Sequence, residues 1–115
     1  MTPTQRTLAL VRKQGFVAQV VEHIVPRTFI RRDLFNIIDI LAINATYTIG
    51  IQTTSGSNVS ARIAKAIASE QLRLWLSVPS RRFIIHGWRK LKSSRRWECR
   101  EIELTISGDG FEITE

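Results

Sequence analysis

The chain has 115 residues, 43% of them hydrophobic, with a formal charge of +7 and an isoelectric point near 10.8. This composition fits a single globular domain over residues 1–115 and excludes a disordered tail. No apolar run reaches the ~20 residues of a membrane span, no signal-peptide pattern is recognisable, and a lone cysteine, Cys99, excludes an internal disulfide or a cysteine zinc site.

The N-terminal half predicts one helix and then three strands. Apolar residues recur at helical spacing over residues 4–14, between Pro3 and Gly15. β-Branched runs bounded by turn residues predict strands over 16–25, 37–43 and 47–54. The connections between these strands are a basic segment, 27–33, and a short turn, 44–46.

The C-terminal half predicts one main helix and two strands. Residues 55–58 read as a turn and helix cap before an amphipathic helix over 59–69. The remaining predicted segments are a helical turn (71–76), a strand (83–88), a basic turn (90–95), a strand (97–106) and a turn (108–110) leading to a loose tail. Cys99 then falls on a strand, where a buried or half-buried thiol is expected.

This element order, α-β-β-β-α-β-β, predicts an α/β fold with a mixed central sheet and flanking helices. Short connections make the first three strands an antiparallel meander. The intervening helix allows the fourth strand to return parallel to one of them by a crossover. We expect the core to span about residues 4–106.

Asp39 is the residue in this sequence whose position most needs an explanation. It lies in the apolar run 37–41, where a carboxylate is costly unless it is paired, hydrogen-bonded or bound to a cation. Gln52 and Thr54 share one face of the next strand. If the two strands are neighbours, Asp39 and Gln52 converge, and carboxylate and amide oxygens are ligands of hard cations such as Mg²⁺. Glu22 could add a second carboxylate, and a purely structural Asp39 would instead pair with Arg31 or Arg32.

Three stretches carry a resemblance to a known superfamily: 31–35 (RRDLF), 38–42 (IDILA) and 51–58 (IQTTSGSN). Together with the element order, they resemble the PD-(D/E)xK nucleases, which include restriction endonucleases and archaeal-type Holliday junction resolvases, over about residues 4–104. The three stretches look like those of small phage and bacterial proteins of this type. The resemblance implies a restriction-endonuclease-like core, Mg²⁺ or Mn²⁺ as cofactor, DNA as partner and a possible homodimer, with its interface near Trp75. The expected location is cytoplasmic, in the host cytoplasm if the protein is phage-encoded.

The motif departs from the superfamily pattern at three positions. Ile38 replaces the usual proline, Gln52 the second acid and Thr54 the lysine. Lys65, on the following helix, could reach inward in place of that lysine. The resemblance thus implies a degenerate site with catalytic candidates Asp39, Gln52, Glu22, Thr54 and Lys65, of which Asp39, Gln52 and Glu22 are the candidate metal ligands. Asp33 either pairs with the preceding arginines or lies near the metal.

Basic residues crowd positions 81–100, and the chain after Arg100 is acidic. Such a basic segment attracts phosphates, although it could also be only a solvated face. Candidate nucleic-acid contacts are Arg31, Arg32, Ser57, Asn58, Arg62, Arg89, Lys90, Lys92, Arg95 and Arg96. Trp88 and Trp97 flank the basic turn, where cross-strand packing is favoured over stacking on bases.

The leading functional prediction is a metal-dependent DNA endonuclease with a degenerate active site, and junction resolution is one form that this activity could take. One alternative is a non-catalytic DNA-binding module on the same scaffold, since the site lacks the usual second acid and lysine. A basic structural or assembly protein is the third class that the sequence permits.

Overall fold

The computed structural model describes all 115 residues. Its helices are α1 (Pro3–Lys13), α2 (Val59–Ile67) and α3 (Glu70–Trp75), and a 3₁₀ turn, Gly56–Asn58, precedes α2. Its strands are β1 (Val17–Val20), β2 (His23–Ile24), β3 (Arg31–Arg32), β4 (Ile40–Ile43), β5 (Thr48–Ser55), β6 (Arg81–Lys90), β7 (Trp97–Ser107) and β8 (Gly110–Thr114). None of the helices combines the length and the apolar character that a membrane-spanning segment requires.

Six strands form one mixed sheet in the order β1-β4-β5-β6-β7-β8. Strands β5 and β6 are parallel, and every other neighbouring pair is antiparallel. The segment between β5 and β6 contains α2 and α3, which cross from one end of the sheet to the other. The predicted meander and the predicted parallel crossover are therefore confirmed.

The first predicted strand is wrong as a single element. It divides into β1 and β2, and β2 leaves the main sheet to pair with β3 in a two-stranded ribbon, residues 23–32, with His23 opposite Arg32. The predicted basic connection is therefore partly a strand.

The strand predicted over 37–43 also begins later, at Ile40. Phe35 and Asn36 adopt positive φ angles of 54° and 61°, which end any extended conformation, and Leu34 pairs with Ile38 across the resulting tight loop. Asp39 thus precedes β4 instead of lying in its middle.

The predicted loose tail is a strand, β8, which pairs antiparallel with β7. Ile113 lies opposite Leu104, and Phe111 packs against the apolar core. The main helix, α2, ends two residues before its predicted limit, and Asn58 precedes it without the predicted side-chain cap.

Two apolar layers hold helices on opposite faces of the sheet. One layer joins Val11 of α1 to buried side chains of three strands, among them Ala18, Ile40 and Ile51. The other layer joins α2 and α3 to the sheet through Val59, Ala66, Leu72, Phe83, Ile85, Ile102 and Leu104. Because alternate residues of a strand face opposite sides, β6 contributes to both layers. Because β5 and β6 are parallel, both strands end on the same side of the sheet. We call this side, which lies across the ends of the strands, the carboxyl edge.

Gly87 allows α2 to pack closely on β6, because a Cβ atom there would collide with a methyl group of Val59. We expect Gly87→Ala to lower the free energy of unfolding by about 1–3 kcal/mol, as overpacking of a core typically does. Urea denaturation measures this change. Gly110→Ala is the matched control, since the nearest atom to its new Cβ is 3.9 Å away. Equal stability of the two variants would contradict the close packing of α2 on β6.

Candidate metal centre

Three carboxylates converge at the carboxyl edge of the sheet. Glu22 lies between β1 and β2, Asp33 follows β3, and Asp39 precedes β4; one oxygen from each lies within 4.8 Å of the others. They line an open cavity of about 300 Å³, whose other walls are almost entirely polar or charged. Of these acids, Asp33 was expected only as an arginine partner or a neighbour of the metal.

The position of Asp39 follows from the end of the β4–β5 ladder. Its backbone N–H donates to the carbonyl of Ile51 at 2.8 Å, and this is the last bond of the ladder on that side. The preceding residues, 34–38, form a loop that leaves β5. The next inward N–H of β5, that of Thr53, donates to Asp39 Oδ2 at 2.8 Å, and the Thr53 hydroxyl also donates to it at 3.1 Å. The carboxylate thus satisfies a backbone donor that the shortened strand leaves free.

Gln52 links two of the carboxylates. Its Nε2 donates to Asp39 Oδ2 at 2.8 Å and to Asp33 Oδ2 at 3.1 Å, which confirms that Asp39 and Gln52 converge. The amide nitrogen faces the carboxylates, whereas the sequence suggested its oxygen as a metal ligand. Asp33 is therefore a further acid beside Asp39, and Gln52 holds the two carboxylates together.

The threonine that faces the cavity is Thr53. Its hydroxyl contacts Asp39 and lies 3.1 Å from the hydroxyl of Thr4, at the start of α1. Thr54, the sequence candidate, is buried and does not line the cavity. Sequence reasoning missed Thr53 because strand alternation alone points this side chain away from the face of Gln52. It missed Thr4 because the contact between Thr4 and Thr53 joins residues 49 positions apart, which no local pattern indicates.

Positive groups surround the carboxylates. Lys65 extends from α2 and places its Nζ 3.9 Å from Asp33 Oδ2, while a guanidinium nitrogen of Arg31 lies 3.6 Å from Glu22. Arg62 lines the same cavity. Neither Arg31 nor Arg32 forms an ion pair with Asp39, so the arginine-paired alternative for Asp39 is wrong.

Asp33 and Asp39 differ in how readily they ionise. Burial, together with the hydrogen bond and the charge of the adjacent Asp33, raises the pKa of Asp39 to about 7, although hydrogen bonds from Thr53 oppose this shift. Burial also disfavours ionisation of Asp33, but hydrogen bonds with Asp39 and Gln52 and the charge of Lys65 outweigh it and lower the pKa. Below about pH 7 the pair therefore holds one proton, mainly on Asp39. A divalent cation would offset the burial and the negative charge of Asp33 that favour this proton.

The basic stretch does not form one continuous surface. Arg81 and Arg82 begin β6, at the end of the strand opposite the carboxyl edge, and Arg82 pairs with Glu103. Arg89, at the carboxyl edge, pairs with Glu98. Four residues at the end of β6 and in the following turn form no ion pair: Lys90, Lys92, Arg95 and Arg96.

The remaining predicted nucleic-acid contacts also lie at the carboxyl edge. Ser57 and Asn58 are exposed in the 3₁₀ turn that follows β5. Arg31 and Arg32 are exposed on β3, directly before Asp33. The edge that carries the carboxylates therefore also carries several cationic side chains that form no ion pair, among them Arg32 and Lys90.

A second group of metal-ligand residue types, His86, Cys99 and Glu101, lies on the α1 face. Thr7 accepts a hydrogen bond from Trp88 Nε1 at 2.9 Å, so its own hydroxyl hydrogen is free for His86 Nδ1, 3.1 Å away. The other nitrogen of His86 lies 3.2 Å from Glu101. Because both ring nitrogens have partners, this group ties α1 to β6 and β7. Burial raises the pKa of Cys99 to about 12, in line with the expected half-buried thiol.

The two tryptophans that flank the basic turn pack against α1. Trp88 is buried, and Trp97 is half-exposed beneath the guanidinium of Arg6, which lies 3.9 Å from the ring centroid. Trp88 lies opposite Cys99 and Trp97 opposite Lys90 on the paired strands. Neither tryptophan lies opposite an aromatic residue, and Trp88 is buried by packing against α1.

The donor set suits a hard divalent cation. Glu22, Asp33 and Asp39 offer only oxygen atoms, as Mg²⁺ and Mn²⁺ prefer, and no thiolate or imidazole that would favour zinc. The nearby Lys65 and Arg62 suit an anionic group brought to the same cavity. Comparison with models of known families, with curated proteins and with solved structures gives no match.

Proposed function

We propose that this protein is a Mg²⁺- or Mn²⁺-dependent DNA endonuclease. The observation that carries the proposal is the convergence of Glu22, Asp33 and Asp39 beside the ammonium of Lys65, at an edge rich in unpaired arginine and lysine. Three acids within ligand distance of one another are costly without a cation. An adjacent positive field selects an anionic substrate, and a phosphodiester fits both features.

Each residue has a distinct role in this proposal. Glu22, Asp33 and Asp39 would hold the metal ion, which when bound neutralises phosphate charge and lowers the pKa of a water molecule. Gln52 keeps Asp33 and Asp39 in register through its two hydrogen bonds. Lys65 stabilises the negative charge that develops on the phosphate, and Arg62 binds the backbone beside it.

The topology supports a restriction-endonuclease-like core. Helices cover both faces, the meander β1-β4-β5 leads to the parallel strand β6, and the candidate acids lie where β4 begins. The two departures that weaken the sequence motif have substitutes nearby. Asp33 supplies the acid missing at Gln52, and Lys65 supplies the ammonium missing at Thr54.

A junction-resolving activity would also need a symmetric dimer, because two strands must be cut in register. Trp75, the predicted interface residue, packs against the core, and its indole N–H donates to the carbonyl of Arg82 at 2.9 Å. Leu74 and Phe35 near it are exposed. The homodimer stays a prediction, which light scattering at micromolar concentration tests.

A nuclease assay with Mg²⁺ or Mn²⁺ on duplex, flap and four-way DNA tests the proposal. We expect slow cleavage, faster with Mn²⁺, that chelation stops and that Asp39→Asn abolishes. Asp109→Asn, which changes an exposed carboxylate in the β7–β8 turn, is the matched control and should cleave normally. Cleavage that survives Asp39→Asn would show that the chemistry lies elsewhere.

A non-catalytic DNA-binding module remains the second candidate, because Gln52 already satisfies two of the carboxylates without a metal. This candidate predicts DNA binding that is unaffected by chelation and no cleavage with either ion. Both candidates predict that binding weakens with salt, with a slope of about 0.9 per phosphate contact.

A further inference from the structure

The β2–β3 ribbon (residues 23–32) extends from the candidate metal centre itself. Glu22 immediately precedes it and Asp33 immediately follows it, so both ends of the ribbon are anchored at site carboxylates. A molecule bound by the ribbon would therefore lie beside the cavity that the three carboxylates line.

The tip of the ribbon is a defined turn. Thr28 N–H donates to the carbonyl of Val25 at 3.2 Å, Pro26 occupies the second position, and Arg27 has a φ of 63°, as in a type II turn. The Thr28 hydroxyl donates to Val25 and accepts from the N–H of Ile30, which fixes the chain on either side of Phe29. Glycine or asparagine is usual at this position of a type II turn, so the arginine side chain of Arg27 adds backbone strain.

The ribbon exposes apolar and basic side chains together. Phe29 is fully exposed, and Ile24 and Ile30 are each more than half-exposed. Arg27, Arg31 and Arg32 are exposed on the same ten residues, which contain no acid. A single exposed apolar residue is common on protein surfaces, but an aromatic side chain held at the tip of a basic ribbon suits a partner with phosphates and stacked rings.

We propose that this ribbon engages DNA, with its arginines on phosphates and Phe29 inserted between neighbouring bases. This inference rests on the proposed function in taking DNA as the substrate, and it adds a substrate class. Apolar wedges of this kind partly unstack a base step, and the unstacking costs least where the step is already broken. The preferred substrate is therefore DNA with an interrupted stack, such as a nick, a mismatch or a branch point.

Binding measured in EDTA tests the ribbon without requiring cleavage. The probes are an intact duplex and the same duplex with one nick, each carrying 2-aminopurine at the central step. Wild type should bind the nicked duplex about tenfold more tightly, the scale of one aromatic–base stack, and should raise the 2-aminopurine fluorescence. Phe29→Ala should lose the preference and the fluorescence change and keep the salt slope. Because Phe29 is fully exposed, this change leaves the fold intact.

Leu74→Ala, which removes an exposed apolar side chain on the α3 side of the protein, is the matched control and should behave as wild type. A Phe29→Ala protein that keeps the preference overturns the ribbon proposal even if the protein cleaves DNA. A preference that depends on Phe29, without cleavage in any divalent ion, sustains the ribbon and overturns the nuclease. No binding to either probe at low salt overturns both.

Discussion

Replacing Asp39 by asparagine should make the metal-free protein more stable at neutral and alkaline pH, by a few kcal/mol. Burial raises the pKa of Asp39 to about 7 from an ordinary value of 3.8, so ionising this group opposes folding. Asparagine carries no charge, and its side-chain oxygen can still accept from the N–H of Thr53. The amide nitrogen of the new asparagine can donate to Asp33, in place of the protonated carboxyl of Asp39.

The sign of the pH dependence follows from the raised pKa. Below about pH 4 both the folded and the unfolded Asp39 carry a proton, and the group contributes nothing. Between pH 4 and 7 the folded state retains a proton that the unfolded state has lost, so wild-type stability falls as pH rises and is lowest above 7. Asp33, whose pKa is lowered, contributes in the opposite direction at lower pH. The difference in the free energy of unfolding between wild type and Asp39→Asn should therefore grow as pH rises from 4 to 7.

Urea denaturation across this pH range, with and without Mn²⁺, measures both effects. Above pH 7 the ion should stabilise wild type, by about 2.7 kcal/mol at a hundredfold excess over its dissociation constant, and should leave Asp39→Asn unchanged. Gln52→Glu should behave in the opposite way. It removes two hydrogen-bond donors and adds a charge, so the metal-free protein is weakened and the stabilisation by the ion increases. An Asp39→Asn protein that is less stable than wild type at pH 8 would show that the charge of Asp39 serves the fold.

The elements that the sequence predicted best are those set by local pattern. The helix α1, the strands β5, β6 and β7, and the crossover between β5 and β6 follow from periodicity and turn residues within each segment. The missed features depend on distant partners. The break between β1 and β2 and the late start of β4 arise from pairing across the ribbon and the 34–38 loop. Strand β8 exists because β7 offers it an edge.

The same division holds for the site. Asp39 and Gln52 could be placed together because strand register is regular, and Glu22 could be added as a neighbour. For Asp33 the sequence left two alternatives open, a pair with the preceding arginines or a position near the metal, because no local pattern shows that the ribbon turns this carboxylate toward the cavity. The contact of Thr53 could not be predicted either, because it depends on β4 beginning only at Ile40, which leaves the N–H of Thr53 free to donate to the Asp39 carboxylate.

Lys65→Ala should slow DNA cleavage about a hundredfold or more while changing DNA affinity little. The ammonium of Lys65 lies 3.9 Å from Asp33, where it can stabilise charge that develops on a phosphate held at the metal centre. Such a contact is strongest in the transition state, so its loss should lower kcat more than it raises KM. The side chain is 42% exposed on α2, and alanine is a good helix former, so the fold should persist.

Arg62→Ala provides the contrasting result. Arg62 lines the cavity without an ion pair to any of its acids, and we expect it to bind the phosphate backbone. Its loss should weaken DNA binding, reduce the salt slope by about 0.9 and leave kcat nearly unchanged. Lys13→Ala removes one positive charge at the far end of α1 and controls for net charge alone. If Lys65→Ala cleaves as fast as Lys13→Ala, the lysine does not serve the reaction, and its ion pair with Asp33 only orders the carboxylates.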